Sequence, residues 1–418
     1  MKRLLVPYDK GAVHPAEIAR ALGDIAEVVF AVPDSPHARR LEPVMAALGC
    51  TMPLSQQRES DRRAAKALGL DGVVTFSERM IRSAGWIAAD LGLPGPGAEA
   101  AEAVTDKGRQ RDLLRARGVD TTRSVVVACG SDWDAAVAAV GLPAVLKPAR
   151  GGGSRETHPV ADAEQGRRLF ARLQRSDEVF VLEELLPGAD CGPFGNYVSL
   201  ESLVLAGTPH HVAVTGKFPL AAPFREVGQF WPAPLKPADM DAVLGLTTAA
   251  LQALGFETGV THTELKLTPS GPRIIEVNGR LGGHISELAR RAAGMDVVRV
   301  AGLAALGEAS PPRPVPTCGP VHWQYNNPTP RDACEFVGVN GWREALGVEG
   351  VSVYTPYLRP GTRLPGGVMT EPLDLVGGEA ADYDEMFTQL VEVGRRLSYS
   401  FKFADRERTI SMGLLPDA

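Results

Sequence analysis

Residues 259–296, GVTHTELKLTPSGPRIIEVNGRLGGHISELARRAAGMD, predict two short strands, a tight turn and a following helix. Leu265 and Leu267 alternate with Glu264 and Lys266, and Ile275 and Val277 alternate with Glu276, Asn278 and Arg280, which is strand periodicity. Pro269-Ser270-Gly271 fits a three-residue hairpin loop, with Pro opening a type I turn and Gly in the left-handed position. That loop would set Thr268 opposite Pro272, Lys266 opposite Ile274, Glu264 opposite Glu276, and His262 opposite Asn278. Directly opposed residues share a face, their Cβ atoms roughly 5 Å apart. Two carboxylates brought together in this way repel, so the arrangement asks for a cation. An all-oxygen set of Glu264, Glu276 and Asn278 suits Mg²⁺, with Mn²⁺ also compatible, and Mg²⁺ binds through few carboxylates plus substrate phosphates. A solvated polar hairpin face is the plainer account of a lone Glu pair. It fits less well once Asn278, Arg280 and the glycines Gly282 and Gly283 follow on.

Chain length, 418 residues, allows two to four packed units. No apolar run approaches the ~18 residues of a membrane-spanning helix, and MKRLLVPYDK reads as a first strand, not a signal peptide. A net charge of −6 argues against a nucleic-acid surface. The five cysteines are scattered without a CxxC pair, which points to a reducing cytoplasm and to neither a disulfide framework nor a zinc site.

From the N-terminus, strands at Arg3–Pro7, Val28–Val32 and Gly72–Phe76 alternate with helices at Pro15–Leu22, Pro36–Leu48 and Ser60–Leu68. This βαβ rhythm predicts a small parallel sheet. Ser77-Glu78-Arg79 could touch a ligand at its carboxyl edge, or Ser77 could simply cap a helix. The run LGLPGPGAEA (91–100) marks a boundary, and a helix over Asp106–Arg117 carries Lys107, on its own most simply a solvated surface lysine. A strand ends at Lys147 and runs into Ala149-Arg150-Gly151-Gly152-Gly153-Ser154-Arg155. Such glycines let backbone N–H groups approach phosphate oxygens, with Lys147 and Arg155 adding positive charge. A flexible surface turn accounts for them equally well. Glu178–Leu186 is a buried strand whose end could hold an adenine. Lys217–Pro232 reads as a long loop rich in aromatic and charged residues, of the kind that often binds ligands. Met240–Leu254, Ser286–Ala293 and Val297–Leu306 are helices, and EASPPRPVP (308–316) is a linker. The last hundred residues predict a small α+β unit, with strands at Val321–Tyr325, Glu335–Val339 and Val351–Tyr357. Its helix, Asp382–Ser398, would turn Met386, Phe387, Leu390, Val391 and Leu397 inward, and no chemical constellation stands out there.

Taken in order, Lys107, Lys147 with its glycine loop, EELL at 183–186, then Glu264 and Glu276-x-Asn278-x-Arg280 resemble the ATP-grasp superfamily of carboxylate ligases. HTELKLTPSGPRIIEVNGRLGG and FREVGQFWPAPL are most similar to the bacterial L-amino-acid ligases. The resemblance implies a multidomain α/β and α+β ATP-grasp fold. Its parts would be an N-terminal pre-ATP-grasp domain (1–95), a small subdomain with the glycine-rich lid (96–182), a catalytic subdomain (183–310) and a C-terminal module (311–418). It implies ATP as substrate, two Mg²⁺ ions on Glu264, Glu276 and Asn278, and nucleotide contacts from Lys107, Lys147, Gly152, Gly153, Ser154, Glu183, Glu184, Leu186 and Glu201. Arg280 would steady the reacting carboxylate. Glu226 would meet a substrate ammonium, with Gln229, His262, Gly282, Gly283 and His284 around the substrate. Asp190–Gly195 interrupts the usual sequence after EELLPG. Gln229 and His284 also depart from the usual pattern, so substrate identity stays open. The implied activity is amide formation from a small-molecule carboxylate and an amine through an acylphosphate, releasing ADP and phosphate. It implies a cytoplasmic protein with no nucleic-acid or membrane partner and is compatible with a homodimer. A carboxyphosphate-using carboxylase of the same fold and a non-catalytic ATP-binding regulator are the alternatives.

Overall fold

The computed structural model describes residues 1–174, 178–312, 318–404 and 406–413. They form a mixed α/β chain that divides into two compact units, each assembled from three chain segments.

The first unit comprises Met1–Thr122, Ser199–Val214 and Leu235–Val315. Its N-terminal part is a parallel sheet in the order Cys50–Leu54, Ala26–Pro33, Lys2–Pro7, Gly72–Val73. Leu4, Leu5, Val6, Phe30 and Ala31 are fully buried, as in a sheet covered by helices on both faces. The helices Pro15–Leu22 and Pro36–Leu48 follow the sequence reading; Ser35 caps the second, its Oγ accepting from Ala38 N at 3.1 Å. The strand Cys50–Leu54 was not predicted. It carries Pro53 and alternates exposed with buried residues, a pattern tolerated because it lies at the sheet edge.

The hairpin of this unit pairs Gly259–Thr268 with Gly271–Asn278, beside Tyr197–Leu205 and then Thr208–Lys217. Its turn is tighter than the sequence reading: Thr268 pairs with Gly271, Leu267 with Pro272 and Lys266 with Arg273. The Thr268 hydroxyl stabilises this turn by donating to Gly271 O at 2.7 Å. A bulge at Ile275 then takes up the extra residue, because Leu265 faces Ile274 while Glu264 faces Glu276. The bulge also explains why Ile274, and not Ile275, is fully buried together with Val277. The wrong turn and the missed bulge cancel. Glu264 opposite Glu276 and His262 opposite Asn278 are the pairs found.

The second unit comprises Arg123–Val198, Thr215–Pro234 and Pro316–Ala418. One antiparallel sheet runs Ser124–Val127, Phe180–Glu184, Ala144–Pro148, His158–Val160. The helices Trp133–Val140 and Ala163–Leu173 pack on it through Trp133, Phe170 and Phe180. Part of a larger eight-stranded sheet orders Gly228–Trp231, Val321–Pro328, Pro372–Ala380 and Val351–Pro356, so the predicted long loop 217–232 contains a strand. Pro372–Ala380 escaped the sequence reading because Gly377-Gly378 resembles a turn. A Cβ on Gly378 would lie 2.9 Å from the Trp323 indole, so the strand needs glycine there. The third sheet orders Thr362–Leu364, Cys334–Asn340, Ser398–Lys402 and Glu407–Ser411. On the helix Tyr383–Arg396, Met386 is buried but Val391 is 54% exposed, so Val391 does not face inward as expected. The second unit also holds a buried polar cluster that the sequence did not reveal. Asp374 accepts from Asn327 Nδ2 at 2.7 Å, Tyr354 Oη at 2.8 Å and Tyr399 Oη at 3.0 Å. The segment 190–195 is anchored by Phe194, whose ring packs against Phe230, Tyr383 and Phe387.

Of the predicted linker, residues 313–316 lie outside the described residues. Among those described, no helix is long and apolar enough to cross a membrane.

Candidate active site

In the first unit, Lys107 begins the helix Lys107–Ala116, with Asp106 as N-cap accepting from Arg109 N at 3.1 Å. Two residues of this helix bolt it to the hairpin's outer strand. Gln110 donates to Val277 O and accepts from Val277 N, both at 2.8 Å, pairing the sheet edge as another strand would. Arg111 donates to Ile275 O at 2.9 Å. Lys107 Nζ consequently reaches Glu276 at 2.9 Å, only 12% exposed. It is not the solvated surface lysine that the sequence alone would suggest.

Opposite Glu276, Glu264 lies 3.5 Å from His262 Nε2, while His262 Nδ1 pairs with Glu201. Burial would push the imidazolium toward neutrality, but the Glu201 charge and hydrogen bond, with Glu264 behind them, overcome this and raise its pKa to about 9. The two opposed carboxylates are therefore each matched by a side-chain cation. The repulsion that suggested a metal is answered within the chain itself. Glu201 also accepts from Gly282 N at 3.2 Å. A Cβ on Gly282 would meet His262 Nδ1 at 2.5 Å and Glu201 Oε1 at 2.9 Å, whereas one on Gly283 would meet nothing within 4 Å.

Arg280, two residues beyond Asn278, donates from Nε to Glu78 at 2.9 Å, with both side chains 15% exposed. Burial raises the Glu78 pKa, Arg280 opposes that rise, and nearby Glu276 adds to it. Ser77 does not cap a helix with its side chain; its Oγ accepts from Asp9 N at 3.0 Å and donates to Asp9 O at 2.6 Å. Asn278 is 2% exposed, and His284 sits left-handed (φ +62°) ahead of the helix Ile285–Ala293. Among the described residues no group of three or more His, Cys, Asp or Glu side chains is placed to hold a metal. Two carboxylates and a carboxamide on one strand pair fit Mg²⁺ only if phosphate oxygens complete the shell.

The second unit carries the lysine and glycine loop. Lys147 is buried and paired with Glu183 at 3.0 Å across adjacent strands. After it, Gly151 and Gly153 take positive φ (+113° and +67°), and so do Ser154 (+52°) and Glu156 (+48°); Gly152 is exposed. Such turns point successive N–H groups outward, as an anion cradle requires. Arg155, expected to add positive charge beside the loop, pairs with Glu178, and Glu184 pairs with Arg123 at 2.7 Å. Leu186 is half-buried. Lys217, which the sequence reading left unassigned, is 2% exposed. It donates to Gln229 Oε1 at 3.0 Å and lies 3.5 Å from Glu226. Gln229 in turn donates to Gln324 at 3.2 Å. The expected ammonium partner of Glu226 is thus already present in part, as the chain's own lysine. Its signal was visible: Lys217 closes the buried half of the strand Thr208–Lys217, as Lys147 lies next to last in the strand Ala144–Pro148.

No family model matches the chain. An L-amino acid ligase from Bacillus licheniformis superposes with a TM-score of 0.75 at 21% identity, over 96% of this chain and 98% of that one. Alanine–anticapsin ligase of Bacillus subtilis is 28% identical over 53% of this chain and 50% of its own length. An uncharacterized protein, y4rH, of Sinorhizobium fredii is 28% identical over 72% of this chain and 62% of its own. The chain has a mixed α/β fold of the ATP-grasp architecture. The chain spans about half to three-fifths of the length of those curated relatives.

Proposed function

We propose that the chain is an ATP-dependent carboxylate–amine ligase, joining the carboxylate of an amino acid to an amine with release of ADP and phosphate. The observation that carries this reading is the strand pair itself: Glu264 opposite Glu276, with Asn278 and Arg280 following at two-residue steps. A binding-only site has no need of two metal carboxylates and an arginine together. In this reading Glu264, Glu276 and Asn278 hold Mg²⁺, which would neutralise charge on the phosphoryl group in transit. Lys107 and Lys147 contact phosphates, the 151–154 loop covers them, and Glu183, Glu184, Leu186 and Glu201 serve the nucleotide. The division at 1–95, 96–182, 183–310 and 311–418 assigns these roles to the parts of an ATP-grasp enzyme.

A free carboxylate is a poor electrophile because its leaving group would be oxide. Phosphorylation converts that oxygen into phosphate, a good leaving group. Arg280 is held by Glu78 at 2.9 Å, which fixes a guanidinium able to grip the carboxylate and then the tetrahedral oxyanion. Glu226 and Gln229, braced by Lys217, recognise the polar end of a substrate, with His262, Gly282, Gly283 and His284 around it. The test is phosphate release from Mg-ATP across a matrix of amino acids and amines, with mass spectrometry of the products. Condensed amides with ADP are expected, and Glu276→Ala should abolish turnover. Incorporation of labelled bicarbonate would move the chain to the carboxylating members of the superfamily. ATP binding without turnover over the whole matrix would make it a regulator.

A further inference from the structure

The segment 367–371 of the C-terminal module is tied at both ends to its own sheet region. Gly367 N donates to Arg331 O at 2.8 Å, and Glu371 O accepts from Thr329 N at 3.0 Å. Between these anchors it makes three further bonds within the second unit. Val368 O accepts from Glu156 N at 2.9 Å and Thr370 N donates to Gly153 O at 2.7 Å, so both ends of the glycine loop are held. The Thr370 hydroxyl accepts from the Glu226 backbone N–H at 3.1 Å. One residue thus bonds the glycine loop through its backbone and the Glu226 loop through its side chain.

The glycine loop needs such a brace. Ser154 and Glu156 are left-handed without being glycine, a conformation that persists only where neighbouring structure holds it. The two bonds to Val368 and Thr370 flank those strained residues. Glu226 is comparably placed, because Lys217 Nζ lies 3.5 Å from its carboxylate while Thr370 holds its amide at 3.1 Å.

We propose that Thr370 is a positioning residue that couples the two loops, so that nucleotide seated under the glycine loop orders Glu226 for its substrate. This rests on the ligase reading for the roles of the two loops. It also gives the C-terminal module a task, as the rigid strut through which they communicate. The side-chain half of the link can be removed alone. Thr370→Val keeps the shape and the backbone bond to Gly153 but offers no acceptor to Glu226 N–H.

Amide hydrogen exchange, with and without Mg²⁺ and β,γ-imido-ATP, reads the coupling directly. In the wild type the nucleotide analogue should protect 151–156 and also slow exchange at the Glu226 amide. In Thr370→Val the protection of 151–156 should remain while Glu226 exchanges about tenfold faster, the loss of roughly one hydrogen bond, and no longer responds to the analogue. Thr370→Ser, which restores the hydroxyl, should restore the response. If Glu226 in Thr370→Val responds as in the wild type, the coupling is wrong while the nucleotide assignment stands. If the analogue protects nothing at 151–156 in the wild type, the nucleotide assignment fails and the coupling with it.

Discussion

Gly282→Ala adds a single methyl group where the structure leaves no room for it. The new Cβ would stand 2.5 Å from His262 Nδ1, 2.7 Å from its Cε1 and 2.9 Å from Glu201 Oε1. Contacts below 3.0 Å require something to move, and neither neighbour is a loose chain end. The His262 and Glu201 side chains are 5% and 2% exposed and paired with each other, and His262 is held on its far side by Glu264. Overpacking of this kind costs about 1–3 kcal/mol. If the clash is relieved by separating the buried pair, the cost rises to roughly 3–5 kcal/mol. We expect a loss of about 2–4 kcal/mol, between those two limits. Urea unfolding of Gly282→Ala beside Gly283→Ala provides the comparison. The Gly283 Cβ would meet no atom within 4 Å, so that variant should stay within about 0.5 kcal/mol of the wild type. Equal stability of the two variants would refute the packing of His262 against Glu201 described here.

Lys217→Met leaves Glu226 facing a hydrophobic stem in place of an ammonium 3.5 Å away. Because Glu226 is 31% exposed, solvent screening holds the expected loss to about 1–3 kcal/mol. The double variant Lys217→Met/Glu226→Gln should recover part of it in the same denaturation assay, and strictly additive losses would show that the two are not coupled. His262 binds its proton more tightly folded (pKa about 9) than at its ordinary 6.5. Its contribution is therefore complete below 6.5 and lost as pH rises through about 9. Stability measured in EDTA should fall across that window, and His262→Gln should flatten the fall; an unchanged pH profile in the variant would place the proton elsewhere.

How far the sequence carried the reading depends on range. Periodicity located the hairpin and the N-terminal βαβ rhythm, because their apolar spacing is local. It placed Glu264 opposite Glu276 only because the bulge at Ile275 undid the error in the turn, and a bulge leaves no mark in a two-residue period. Cys50–Leu54 and Pro372–Ala380 were missed since Pro53 and the Gly377-Gly378 pair mimic turns. What remained hidden is long-range. Gln110 pairing with Val277, Glu78 holding Arg280, and Asp374 gathering Asn327, Tyr354 and Tyr399 join residues whose proximity no local spacing encodes. The charge partners of Arg155, Glu184 and Glu226 were hidden in the same way, and they alter which groups can greet a ligand.

The central claim is that a carboxylate oxygen receives phosphate before the amine attacks. Supplying the acid with ¹⁸O in its carboxylate, together with Mg-ATP and an accepted amine, tests it directly. The account predicts ADP, an amide retaining one of the two labelled oxygens, and inorganic phosphate carrying the other. Label appearing in AMP, or phosphate released without label while amide forms, would contradict it.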